Sequence, residues 1–236
     1  MSGVALGIGP SAPQRCSDDL LRGAAELARQ AGSFVHLHVC ETATDKANCL
    51  ALYGISAIAH LDGIGVLGPA TELAHCVHID DDDLRRLAAT GTTMVHNPVA
   101  NMRLGSGVAP MARALELGVR VRLGSDGAGS NDTQSMLEAT KLACFLPRAS
   151  GADRSWLSPE QSLDIATGGQ VLRHGAVADL LAFDLTAPGF SALSPASLLD
   201  EIAARVVMAA RDHDIVHVMA GGEFLMRDRG VAVRAP

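Results

Sequence analysis

The sequence predicts an α/β fold, and three observations carry that prediction. Short β-rich runs alternate with segments of helical period through the first two-thirds of the chain. Most of those runs end in small or polar residues, as in the strings GP, CET, HID and GSDG. With 48% hydrophobic and 19% charged residues, the chain can bury a core. Strand followed by helix, repeated, implies parallel pairing through right-handed crossovers.

Each element has a local reason. Val4–Gly7, Phe34–Val39, Glu72–Val77, Thr93–His96 and Val119–Gly124 are the expected strands. Between them, Asp18–Gln30 places Leu20, Leu21, Ala24 and Leu27 at helical spacing, and Asp80–Ala89 does so with Leu84 and Leu87. Asp132–Leu146 follows with Met136, Leu137 and Leu142. Ser17 and Asp80 read as N-caps, and Gly32, Gly91 and Gly118 as C-terminal stops. After about residue 150 the texture changes. Ser158–Thr167 reads as a capped helix with Pro159 in its first turn. Asp179–Leu185, Ile215–Ala220 and Glu223–Met226 read as strands, the last two joined by a hairpin turn at Ala220-Gly221-Gly222.

Composition excludes several function classes. The net charge of -7 argues against a broad electrostatic grip on nucleic acid or anionic membrane. No apolar run approaches the roughly 20 residues of a transmembrane helix, and the opening residues lack the pattern of a secretory signal. The 5 cysteines include no CxxC pair, which fits free thiols in a reducing cytoplasm. A dinucleotide site is also disfavoured. The glycines of GVALGIGP run into Pro10 and Pro13 instead of opening a helix.

Polar residues capable of binding metal gather where the expected strands end: His36, His38 and Glu41, then His75 and His78, then His96 and Asn97, then Asp126. Active sites of α/β proteins lie at the carboxyl ends of parallel strands, so these groups should converge on one rim. Strand alternation puts His36 and His38 on one face, with Glu41 far enough beyond to curl over the edge. Imidazole and carboxylate suit zinc or iron, and a nearby carboxylate that is not a ligand could move protons. The plainer alternative is that a histidine in a strand is a buried, hydrogen-bonded core residue. His60, His174, His213 and His217 have no partner pattern and read that way or as surface residues. Asp80 to Asp83 reads as an acidic helix start, Cys40 and Cys76 as wall residues, and Met94, Met102, Met111 and Met136 as core filler.

Several strings, taken together and in order, resemble the amidohydrolase superfamily. They are His38-Val-Cys-Glu41, LAHCVHI (73–79), HNPVANMRLGSGVAP (96–110) and LGSDGAGSN (123–131). The similarity resumes at ADLLAFDL (178–185) and IVHVMAGGEFLMRDRG (215–230). The branch is that of triazine chlorohydrolases, S-adenosylhomocysteine and methylthioadenosine deaminases, and guanine-type deaminases. The resemblance implies a (β/α)8 TIM-type barrel represented by about strands four to eight, over residues 1–170. Residues 171–236 would be a small β appendage, the remnant of the family's β-sandwich.

Carried over by position, His38 resembles the metal-binding His of the fifth barrel strand. Glu41 resembles the acid/base that takes a proton from water and passes it to the leaving amine. His75 resembles the sixth-strand His beside the water, which polarises the substrate and is a further candidate ligand. Asp126 resembles the eighth-strand metal ligand and second proton acceptor. The implied cofactor is one divalent metal ion, zinc first and iron second. The implied chemistry is attack of activated water on an electron-poor ring carbon of a small heterocyclic amine such as a purine, pyrimidine or triazine. Asn101, Arg103 and Ser106 fall in the loop after the seventh strand.

Three departures qualify this expectation. The family's first-strand His-x-His is missing, leaving two ligands where a catalytic zinc takes about three. Ser11 stands in the turn Pro10-Ser11-Ala12-Pro13 where purine-nucleoside deaminases carry a substrate-contacting His, which argues against adenosine-type substrates. The stretch GGQVLRHGAV between Ala166-Thr167 and Ala178-Asp179 is shorter than the family's loop. An enzyme completed by a second copy or by a missing N-terminal half is therefore expected, with a non-catalytic fragment or binding module as the alternative.

Overall fold

The hydroxyl of Ser17 accepts a hydrogen bond from the Leu20 amide and starts helix α1 (Asp18–Gln30), whose buried face is Leu21, Ala24, Ala25 and Ala28. The computed structural model describes residues 6–149, 156–170, 172–194, 196–197 and 199–231. These residues fall into two compact units, divided between Leu157 and Ser158.

The first unit alternates strands and helices. After α1 come β1 (Val35–Val39), α2 (Ala43–Tyr53), α3 (Ala57–Gly63), β2 (Thr71–His75) and α4 (Asp81–Thr90). Then follow β3 (Thr93–His96), α5 (Pro98–Arg103), α6 (Met111–Glu116), β4 (Arg120–Leu123) and α7 (Met136–Ala149). The four strands form one parallel sheet in the order β1-β2-β3-β4, as the alternation predicts. Asp80 caps α4 with a capping box to Asp83, and Gly91 ends the helix in the left-handed conformation (φ 68°).

One sheet face is aliphatic. Leu37, Leu73 and Met94 lie side by side across β1, β2 and β3, all fully buried. Leu21, Ile58, Leu61, Leu84 and Leu87 of the helices are equally buried. The opposite face is polar and partly open: His36 Nδ1 lies 3.1 Å from Glu72 Oε2, and Arg122 reaches the same carboxylate at 3.7 Å.

The differences from expectation have local causes. Val4 and Ala5 of the first expected strand lie outside the described residues, and Leu6 and Gly7 are not in a strand. Instead Ile8 makes an isolated parallel bridge to Val35, its amide donating to the Phe34 carbonyl at 2.9 Å. The strand expected to reach Val77 stops at His75 because His75 and Cys76 both turn left-handed (φ 71° and 49°). Helix α7 starts at Met136, later than Asp132, because the Asn131 side chain takes the Gln134 amide in a turn.

The second unit holds α8 (Pro159–Thr167), β5 (Leu180–Phe183), α9 (Leu199–Met208), β6 (Ile215–Ala220), β7 (Glu223–Arg227) and β8 (Gly230–Val231). Its strands form an antiparallel sheet in the order β5-β6-β7-β8, with the expected Gly221-Gly222 turn between β6 and β7. Ser158 caps α8 in a reciprocal box with Gln161. Helix α8 packs on α9 and so groups with this unit, ahead of the boundary expected at residue 170. Among the described residues no helix is long and apolar enough to cross a membrane.

Candidate active site

The carboxyl ends of β1, β2 and β4 each break into a left-handed residue that is not glycine: Cys40 (φ 47°), His75 and Cys76, and Asp126 (φ 62°). Such conformations cost of order 1 kcal/mol or more each and collect at functional sites. Here they turn the chain so that side chains project over the strand ends. Glu41 sits between the end of β1 and Thr42, which caps α2 through a capping box with Asp45.

His38, Glu41, His75 and Asp126 come together. His75 Nε2 lies 3.8 Å from Glu41 Oε2 and 3.9 Å from Asp126 Oδ2. The His38 and His75 rings stack with centroids 5.4 Å apart and planes 16° from parallel. His75 is fully buried, whereas the Glu41 and Asp126 side chains are 20% and 21% exposed, so solvent reaches the carboxylates. A cavity of about 10 Å³, room for one water, adjoins His38 and Glu41.

Each of these groups is held from behind. His38 Nδ1–H donates to the Ser11 carbonyl at 2.7 Å, and a carbonyl can only accept, so the free lone pair lies on Nε2. His75 Nδ1 is 2.8 Å from Asn101 Oδ1. Ser106 Oγ donates to Glu41 Oε1 at 3.2 Å, and His78 Nε2–H donates to the Ser106 carbonyl at 2.8 Å. The loop of Asp126 is fixed by Asn131, whose Nδ2 donates to the Ser125 carbonyl at 2.8 Å. Asn131 enters the sequence reading only as the last residue of the string 123–131, and the roles of Asn101 and Ser106 could not be read there, because their partners are distant in the chain.

Of the remaining histidines, the candidate His36 falls outside the cluster, and three that read as structural or surface residues do too. His36 shares a face with His38, yet it pairs with Glu72. His60 stacks on Tyr53 at 3.6 Å and bonds Asp18, while His174 and His213 are exposed. Burial pushes the Cys40 thiol up to about 12 and holds the Cys76 thiol well above its ordinary value, so neither offers a thiolate nucleophile.

His96, at the end of β3, is 1% exposed, and burial, aided by nearby His75, lowers its pKa from 6.5 to about 3. It therefore stays neutral and is no proton carrier near pH 7. Below pH 6.5 the unfolded chain takes up a proton that the native ring refuses, so stability present above 6.5 is lost as pH falls toward 3. The slope from this group is about 1.4 kcal/mol per pH unit. A His96→Asn variant is expected to show a flatter acid limb in urea midpoints measured between pH 7.5 and 5. An unchanged limb would contradict the buried, neutral assignment.

Gly124 gives a steric prediction. A Cβ there would overlap Asn97 Oδ1 and lie 3.0 Å from Val95 Cγ1, one residue before Ser125-Asp126. Gly124→Ala is expected to destabilise by about 1–3 kcal/mol through overpacking. A change below about 0.5 kcal/mol in chemical denaturation would show that the neighbours yield freely.

The cluster suits a divalent ion in kind. A ligating histidine characteristically donates its second ring N–H to a backbone carbonyl or carboxylate, as His38 does to Ser11. The set is nevertheless open: among the described residues no group of three or more His, Cys, Asp or Glu side chains is arranged to hold a metal.

Buried imidazole and paired carboxylates at the carboxyl edge of a parallel sheet place the chain in the class of α/β proteins with a candidate polar active site. The family model named Amidohydrolase family matches residues 2–225, and the chain belongs to that family. It is 36% identical over 234 residues to 5'-deoxyadenosine deaminase of Methanosarcina mazei, covering 95% of this chain and 53% of the relative. It is 35% identical over 236 residues to 5-methylthioadenosine/S-adenosylhomocysteine deaminase of Nitratidesulfovibrio vulgaris, covering 95% of this chain and 52% of the relative. Among solved structures it superposes on a zinc-bound adenosine deaminase of Xanthomonas campestris with a TM-score of 0.85 at 26% identity, over 97% of this chain and 53% of that one. The chain thus spans about half the length of the curated relatives it matches.

Proposed function

We propose that the site carries out hydrolytic deamination of an aminated N-heterocycle, with an adenosine-like compound as the leading substrate. The observation that carries this reading is the approach of Glu41 and Asp126 to His75 Nε2, at 3.8 and 3.9 Å. The relatives are deaminases of 5'-deoxyadenosine and of 5-methylthioadenosine/S-adenosylhomocysteine, which favours adenosine-like compounds over pyrimidines or triazines, against the contrary hint from Ser11. The parallel sheet is read as the arc of fifth to eighth strands of a (β/α)8 barrel. This is supported by the placing of His38, His75 and Asp126 on or just beyond its first, second and fourth strands.

His38 and Asp126, with His75 beside them, would hold one divalent ion, zinc by analogy with the solved neighbour. Such an ion supplies a water acidic enough to lose a proton near neutral pH. The chain's own groups then manage protons. Glu41 accepts one from water and delivers it to the departing nitrogen. Asp126 faces the same point as second proton acceptor, and His75 polarises the substrate. Oxygen bonds to the ring carbon and the C–N bond breaks. Ammonia leaves with one proton of the water, the other ending on the ring.

A second reading, a binding module without turnover, is favoured by the open donor set. Ammonia release from adenine nucleosides, cytosine and an aminotriazine, with zinc supplied, separates the two. Release from the adenine nucleosides is expected. None from any compound would sink the deaminase reading for this chain and leave the binding module.

A further inference from the structure

We propose that Asn101 is a positioning residue that fixes the proton of His75 on Nδ1, so that Nε2 alone faces the reacting groups. The proposal rests on the deaminase reading for its purpose, but not for its geometry. Asn101 is completely buried in α5, and its amide donates to the Asn97 carbonyl at 2.9 Å, so the side chain starts from a fixed backbone. Its Oδ1 lies 2.8 Å from His75 Nδ1, and an amide oxygen only accepts. Nδ1 must therefore carry a hydrogen whether the ring is neutral or charged. The arrangement excludes only the tautomer with its lone pair on Nδ1. Nε2 is then the nitrogen presented to Glu41 and Asp126, at 3.8 and 3.9 Å.

The same segment selects the working oxygen of Glu41. Ser106 is nearly buried, and its hydroxyl occupies Glu41 Oε1 at 3.2 Å. That leaves Oε2 as the oxygen nearest His75. The Ser106 amide donates to the Asn101 carbonyl at 2.8 Å, and the Ser106 carbonyl is tied to His78. One short stretch of chain, from Asn101 to Ser106, thus sets both members of the Glu41–His75 pair. The Asn101 Nδ2 is buried without a partner. Such an orphan costs about 1–3 kcal/mol, and among the described residues His96 Nδ1 is another.

Long-range proton–nitrogen NMR correlation on histidine-labelled protein tests this directly, with the His75 signals assigned by their loss in His75→Gln. Wild type is expected to show Nδ1 protonated. Asn101→Asp, which keeps an acceptor, should preserve that pattern. Asn101→Leu, of similar size but with no acceptor, should shift the ring toward protonation on Nε2. Where ammonia release is measured, Asn101→Leu should lower kcat about 10- to 100-fold with KM little changed, and Asn101→Asp should restore part of it. A wild-type ring protonated on Nε2 alone, or an unchanged pattern in Asn101→Leu, would overturn the proposal. Should Asn101→Leu fail to fold, the wild-type spectrum still decides. The NMR result stands apart from turnover, so failure of the tautomer assignment and failure of the deaminase reading remain distinguishable.

Discussion

Replacing Glu41 with Gln is expected to lower ammonia release by about 10²- to 10⁴-fold, the range for loss of a positioned proton carrier. Metal content per chain should be unchanged. The carboxamide keeps the size of the side chain, and its Oε1 can still accept the hydrogen bond from Ser106, so the fold around β1 should survive. What disappears is the ability to take a proton from water and return it to the leaving nitrogen. Loss of metal in Glu41→Gln would move Glu41 from proton carrier to ligand. Undiminished turnover would remove it from the chemistry.

The second large effect is on stability. Leu73 lies in β2, is wholly buried, and sits between Leu37 of β1 and Met94 of β3 in the sheet register. With aromatics at only 3% of the chain, few large rings are available to fill a gap in this aliphatic row. Leu73→Ala should therefore leave a cavity flanked by strand residues that cannot easily close in. The expected loss is about 2.7–5 kcal/mol. It should appear as a lower urea midpoint with an unchanged denaturant slope. A loss below about 1 kcal/mol would mean that the row repacks and is not the core of the first unit.

Much of the fold was legible because its signals are local. Ser17, Asp80 and Ser158 mark the starts of α1, α4 and α8, and each accepts from the backbone as a cap should. The strands were readable as β-rich runs closed by polar residues. Helix α2 was not, since it buries only Asp45 and Cys49 and has almost no apolar stripe. Helices α5 and α6 span barely more than one turn, too short for a period to emerge. Helix α9 buries Ala203 and Val207 four residues apart, but the adjacent Val206 and Val207 mimic a strand.

The candidate site divides in the same way. His38, Glu41, His75 and Asp126 announce themselves by residue type at strand ends. Their supports do not: Asn101 lies 26 residues from His75, and Ser106 lies 65 from Glu41. Such pairings arise only when parallel strands and their loops assemble. His36 shows the converse. Its face was predicted by alternation, but its partner Glu72 depends on the β1–β2 register, which no local string reveals.

The proposed hydrolytic site needs a divalent ion beside His38, His75 and Asp126. The most direct test is ammonia release from an adenine nucleoside by monodisperse protein stripped with chelator and then titrated with zinc. Stripping is expected to abolish release and zinc to restore it, saturating at about one equivalent per chain. Release that is indifferent to zinc, or absent at every zinc level, would contradict it.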